Sequence, residues 1–156
     1  LDIITARSAL EIMGAIMAGL LVTCGAILLG YMSPPKDLGL LYLGLLFQCG
    51  FSFATALIVA SLSQRAELVE KSISVLAYLS LPLSGAFVMC SWLPQKARDI
   101  LLWSPSVNNV EMIRGGQFGM IVHPYYSIAY DAVITAILLL IGIHLTLRVR
   151  KFINVV

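Results

Sequence analysis

Asp131 and His144 are the one acid and the one imidazole inside an apolar run of this chain, and their spacing decides what they can do together. They stand 13 positions apart. On one helix that separation is roughly 20 Å along the axis, too far to share a proton. Glu111 and Arg114 are three positions apart, about one helical turn. Either they pair with each other, or Arg114 is the cation best placed to meet an anionic substrate. Cys24, Cys49 and Cys90 are separated by 25 and 41 positions, with no CxxC and no neighbouring His. That spacing points to packing residues rather than to zinc or a redox pair. The chain has no GxSxG, no HExxH and no phosphate-cradling glycine loop. No catalytic residue, metal ligand, cofactor or ATP site of its own is therefore assigned, and an enzyme is not expected.

The elements that carry these residues are apolar. Residues 12–32, 38–62 and 73–92 contain no Asp, Glu, Lys or Arg, and residues 128–147 contain only Asp131. About 20 apolar residues in a helix cross roughly 30 Å of hydrocarbon. With 60% apolar and 12% charged residues and a mean hydropathy of +0.95, too few charges remain to coat a soluble domain. The expectation is an all-α integral membrane domain over residues 1–156 with four transmembrane helices. The chain starts at Leu1 without a signal peptide's basic start and cleavage site, so an N-terminal part is expected to be missing. A net charge of +2 with scattered basic residues does not suggest nucleic acid.

Four spans put both ends on one side. With residues 1–11 in the cytoplasm, Arg7, Arg65, Lys71, Arg148, Arg150 and Lys151 lie inside and Lys36, Lys96, Arg98 and Arg114 outside, six against four. Gly14, Ala18 and Gly25 form a small-residue track for packing within the subunit or for a dimer seam. Ser33-Pro34-Pro35-Lys36-Asp37 is a tight exterior turn. Gln48, Ser52 and Thr55 recur near one turn and either line a pathway or bond to a neighbouring helix. Glu67 and Lys71, at i and i+4, support a helical turn in the charged link 63–72. Pro82, followed by Ser84-Gly85, bends the third span.

The exterior link 93–127 is long for a helix connection and carries helix punctuation. Ser104-Pro105 reads as an N-cap with proline at the first position, and Gly115-Gly116 as a stop. Two short helices are predicted, residues 94–103 and 105–114, lying on the outer interface or re-entering the membrane. Trp92, Trp103, Tyr125, Tyr126 and Tyr130 form an interfacial belt or, alternatively, stack on sugars.

Three stretches, taken in order, resemble one family. They are Leu1-Asp2, Ala6-Arg7 and Leu10-Glu11; then Leu81-Pro82-Leu83-Ser84-Gly85 with Trp92-Leu93-Pro94; then Ser104-Pro105 and Glu111-Met112-Ile113-Arg114-Gly115-Gly116-Gln117-Phe118-Gly119, followed by Tyr125-Tyr126. Together they look like the C-terminal part of a bacterial polysaccharide-export ABC transporter permease of the ABC-2 type, above all a capsule exporter. The resemblance implies six spans per permease, of which these would be the last four. It also implies a second permease copy, a dimer of ATP-binding subunits that hold ATP and Mg, and periplasmic and outer-membrane export components. Short helices re-entering the membrane before the last span are a feature of the family.

A lipid-linked polysaccharide would then cross the bacterial inner membrane, with the chain's C-terminus in the cytoplasm. Gln48, Arg114, Tyr125 and Tyr126 are candidates for the substrate path. Arg7, Glu11, Arg65 and Glu67 are candidates for the ATPase-facing surface. Without the missing spans, this piece is not expected to assemble a working transporter. An O-antigen or teichoic acid exporter is the alternative within the superfamily. Outside it stand a small channel or secondary transporter, a membrane-embedded glycosyl or acyl transferase, and a structural anchor. The first two would need intramembrane charges, an inverted repeat or a clustered acid or His motif.

Overall fold

The computed structural model describes residues 2–64 and 84–153 together with Ser72, Val75 and Tyr78. Among them every regular element is helical: α1 (Asp2–Leu28), α2 (Leu38–Ser63), α3 (Gln95–Leu101), α4 (Pro105–Phe118) and α5 (Ile128–Ile153), with short 3-10 turns at Cys90–Trp92 and Gly119–Val122. Among the described residues, three stretches are long and apolar enough to cross a membrane: Ala9–Leu28, Leu38–Ser63 and Ile128–Arg148.

The first span ends earlier than its composition suggests. Gly30, at φ +74°, takes the left-handed conformation that closes a helix. Its N–H reaches Ile27 O at 3.0 Å, and the Tyr31 N–H reaches Ala26 O at 2.9 Å. This pair of bonds satisfies the last carbonyls, so α1 stops at Leu28 rather than at Met32. Asp37 then starts α2 by accepting the Leu40 N–H at 3.0 Å. No residue of Ala9–Leu28 is buried, and Gly14 and Gly25 meet nothing within 4 Å. Among the described residues, the small-residue track is not used for packing.

The core is α2 against α5 and α4. Helices α2 and α5 run parallel in a constant register. A Cβ on Gly50 would meet the Thr135 methyl at 3.1 Å, and one on Gly142 would meet Leu57 Cβ at 3.0 Å. Further along, the Ser61 and Thr146 hydroxyls bond to each other at 3.0 Å. Small residues at each crossing let the backbones approach, as helices packing in lipid require.

The expected third span, residues 73–92, lies largely outside the described residues, as do Pro82, Arg65, Glu67 and Lys71. Its end departs from a helix. A turn at residue 84 and bends at 85–88 follow, with Gly85 at φ +75°, before the 3-10 turn at Cys90–Trp92. This stretch packs closely on α4: a Cβ on Gly85 would sit 3.2 Å from Val107 Cγ1.

Candidate functional site

Helix α4 is the most polar of the long elements and also the most enclosed. Asn108, Asn109, Glu111 and Gln117 are buried along with Val107 and Met112. A polar side chain removed from water costs about 1–3 kcal/mol unless it is bonded, so the partners of these residues define what α4 does.

Glu111, 1% exposed, is the hub. Its Oε1 accepts the backbone N–H of Cys90 at 3.3 Å, and its Oε2 accepts that of Tyr125 at 3.3 Å. Arg114 pairs with Oε1 through Nη1 and donates Nη2 to Gly85 O at 2.9 Å. One buried ion pair thus holds three segments together: the bends at 85–90, α4, and the strap leading into α5. Arg114 is committed to this lattice. The pairing alternative read from the spacing is the arrangement observed, and the cation does not stand open for a substrate.

Two further latches fix the ends of α4. Asn108 Nδ2 donates to Ser127 O at 3.0 Å while Ser127 N donates to Asn108 Oδ1 at 2.9 Å. At the other end, Gly116 O accepts the N–H groups of Lys36 and Asp37 at 3.1 and 2.9 Å, and Gln117 Nε2 donates to Ser33 O at 2.9 Å. The orphan carbonyl of a helix end therefore anchors the prolyl turn between α1 and α2.

The glycine pair is not a stop. Helix α4 runs through it to Phe118 and ends at Gly119, whose φ is +66°. A Cβ on Gly116 would lie 2.5 Å from Leu41 N, and one on Gly44 would lie 2.9 Å from the Ile113 side chain. Gly116 lets α4 touch the backbone of α2, while Gly115 makes room for Pro124, whose Cγ would lie 3.0 Å from a Cβ there. Ser104 occupies the N-cap position without a side-chain cap bond, and Pro105 opens the helix. Because α4 contacts Leu41, Gly44 and Gln48, it lies alongside the first turns of α2 rather than beyond their end.

Of the residues proposed for a substrate path, Gln48 accepts the Asn109 Nδ2 donor at 3.2 Å and so belongs to the α2–α4 contact. Thr55 bonds back to Phe51 O at 2.9 Å, so the Gln48, Ser52 and Thr55 strip has no common partner. Tyr125 and Tyr126 keep exposed rings, and the Arg98 guanidinium stacks on Tyr125 at 4.1 Å. Tyr130 donates its hydroxyl to Trp103 O at 2.6 Å, while Trp92 and Trp103 remain exposed. Arg7 and Glu11, proposed to face an ATPase, form an exposed pair at 3.2 Å on α1. Their proposed companions Arg65 and Glu67 lie outside the described residues. Asp131 is fully buried and His144 exposed. The residues that spacing did not single out are Asn108, Asn109, Gln117 and Ser127. The available signal was their polarity in an otherwise apolar chain.

Apolar helices of membrane length, bound together by a buried polar helix, define a multi-pass membrane protein. Its particular kinship comes from its relatives. The chain is 34% identical over 151 residues, 97% of its length, to capsule polysaccharide export inner-membrane protein BexB of Haemophilus influenzae. It is 32% identical over the same share to capsule polysaccharide export inner-membrane protein CtrC of Neisseria meningitidis serogroup A. The chain belongs to this family of capsule-export permeases. It spans 57% of the length of these relatives. No family model matches the chain, and no solved structure matches it.

Proposed function

We propose that the chain is part of the permease subunit of an ATP-driven exporter that moves lipid-linked capsular polysaccharide across the bacterial inner membrane. The alignment of 97% of the chain with capsule-export inner-membrane proteins carries this reading. In it, two permease copies form the membrane path, and a pair of partner ATPase subunits binds ATP and Mg. Periplasmic and outer-membrane components receive the polymer. Both ends of the chain lie in the cytoplasm, so the Leu38 end of α2, with α4 beside it, faces outward. Tyr125 and Tyr126 offer aromatic faces on that side, and Arg98 adds a cation. Gln48 and Arg114 serve the path by holding α4. Arg7 and Glu11 face the ATPase.

Deleting the gene and locating the polymer by antibody and fractionation tests the proposal. Lipid-attached polymer trapped inside the cell is the expected result. Absence of polymer would instead indicate a synthetic role, and a normal surface coat would return the channel reading to favour.

A further inference from the structure

Helix α5 ends in a basic run with no acid to balance it. Arg148, Arg150 and Lys151 lie in residues 132–156, which contain no Asp or Glu. One turn before Arg148 stands His144. Both side chains are exposed, and among the described residues neither has a hydrogen-bond or ion-pair partner. An ionisable side chain inside a spanning helix ordinarily faces the bundle interior or a water-filled cavity. His144 does the opposite. It stands about half a turn round α5 from Thr135 and Gly142, the residues that meet Gly50 and Leu57 of α2.

A ridge of exposed side chains leads up to it. Val133, Ile137, Leu140, His144 and Arg148 recur at steps of three and four residues, which keeps them on one face of the helix. Val133, Ile137 and Leu140 are 58%, 46% and 68% exposed. The 11 residues from Val133 to His144 rise roughly 16 Å, one leaflet of a hydrocarbon core about 30 Å thick.

The ridge has the outline of a phospholipid. An acyl chain fits along Leu140, Ile137 and Val133, and a phosphate fits where the apolar side chains give way to donors. The Arg148 guanidinium can take two phosphate oxygens at once, and an imidazole offers an N–H in either protonation state. A zwitterionic headgroup would bring its own ammonium against the basic run. An anionic headgroup brings only the complementary charge.

We propose that His144 and Arg148 bind the phosphate of an anionic glycerophospholipid of the phosphatidylglycerol class, in the leaflet where α5 ends. Under the topology proposed above this is the cytoplasmic leaflet, although the binding itself does not rest on that reading. The face that holds the lipid is turned away from α2, so the lipid lies on the outside of the packed helices.

The test uses the purified full-length protein in nanodiscs of equal phosphatidylglycerol and phosphatidylcholine, with the lipids it retains counted by native mass spectrometry. Phosphatidylglycerol should be retained over phosphatidylcholine by about fivefold, the worth of one basic group near an anionic surface. Arg148→Gln and His144→Leu should each cut that preference severalfold and leave the unfolding midpoint unchanged, since both side chains are exposed. Exchanging His144→Ile with Ile143→His keeps the composition but turns the imidazole about 100° off the ridge, and should act like His144→Leu.

Equal retention of the two lipids would overturn the proposal. A preference that survives Arg148→Gln or the exchange would mean that net charge alone attracts the lipid, and would overturn it too. Displacement of the lipid by inorganic phosphate would reveal a site for a free anion instead. Oxidative bridging of two copies through Leu140→Cys, in a Cys24→Ser, Cys49→Ser background, would put a second permease on the ridge; either result refutes a lipid there.

Discussion

Glu111 on α4 accepts the backbone N–H of Tyr125 at 3.3 Å, across 14 residues of chain. The same carboxylate takes the Cys90 N–H from the other side, so a single side chain sets where the strap into α5 and the bends leading to Cys90 sit. Replacing either member of the ion pair leaves the other charged and buried, which costs about 3–5 kcal/mol. Arg114→Met should therefore lower the unfolding midpoint of the full-length protein sharply and abolish surface capsule. Glu111→Gln with Arg114→Met should recover part of the loss, as coupled sites do. A double variant no better than Arg114→Met alone would refute the hub.

Cys90 reports on that hub without disturbing it. The side chain is 1% exposed and its backbone is held by Glu111. In native membranes a maleimide should leave Cys90 unlabelled until denaturant is added. Glu111→Ala should make it label in the native state, because the bends at 85–90 lose their anchor. The assay belongs in a Cys24→Ser, Cys49→Ser background, since those thiols are not buried. Prompt labelling of Cys90 in the otherwise unaltered protein would contradict the burial.

The glycines divide into two kinds, with opposite outcomes. A Cβ at Gly116 would press on the Leu41 backbone at 2.5 Å, where no side chain can swing away, whereas Gly19 meets nothing within 4 Å. Gly116→Ala should cost at least the 1–3 kcal/mol typical of overpacking and reduce export accordingly. Gly19→Ala should be neutral or stabilising by up to about 1 kcal/mol from helix propensity. Midpoints of the two variants, with surface capsule measured in parallel, check both directions.

The apolar spans were legible because lipid demands long runs without charge, and no other physical pressure produces three such helices. The ends of the helices were less legible. Met32 is as apolar as Leu28, and only the left-handed Gly30 with its two backbone bonds decides between them. The pairing of Glu111 with Arg114 could be read from spacing, because one helical turn brings them together. Their bonds to Gly85, Cys90 and Tyr125 could not, since nothing local encodes contacts that far along the chain. Gly115-Gly116 misled for a related reason. Glycine both ends helices and permits close helix contact, and the facing Leu41 backbone, 75 residues before Gly116, selects the second role.

Parallel packing of α2 on α5 yields a geometric test. The Ser61 and Thr146 hydroxyl oxygens lie 3.0 Å apart, and each also has a carbonyl on its own helix at 2.8 Å, Leu57 O and Gly142 O. A hydroxyl has one proton, so one of the two donates across the interface and the other back to its own helix. Loss of the interhelical bond alone should be mild, on the order of 0.6 kcal/mol in a membrane setting, so Ser61→Ala should fold and export. The two side-chain oxygens are 3.0 Å apart, so cysteines at both positions should be able to bring their sulfurs to the bonding distance of about 2.05 Å. Oxidation of Ser61→Cys, Thr146→Cys should close that bridge within one subunit, seen as a mobility shift after proteolysis between the two sites. The one-residue displacement Ser61→Cys, Leu147→Cys should not close it, because position 147 turns away from α2 by about 100°. Bridging in the second pair and not in the first would show that α5 is rotated on α2 and that the register described above is wrong.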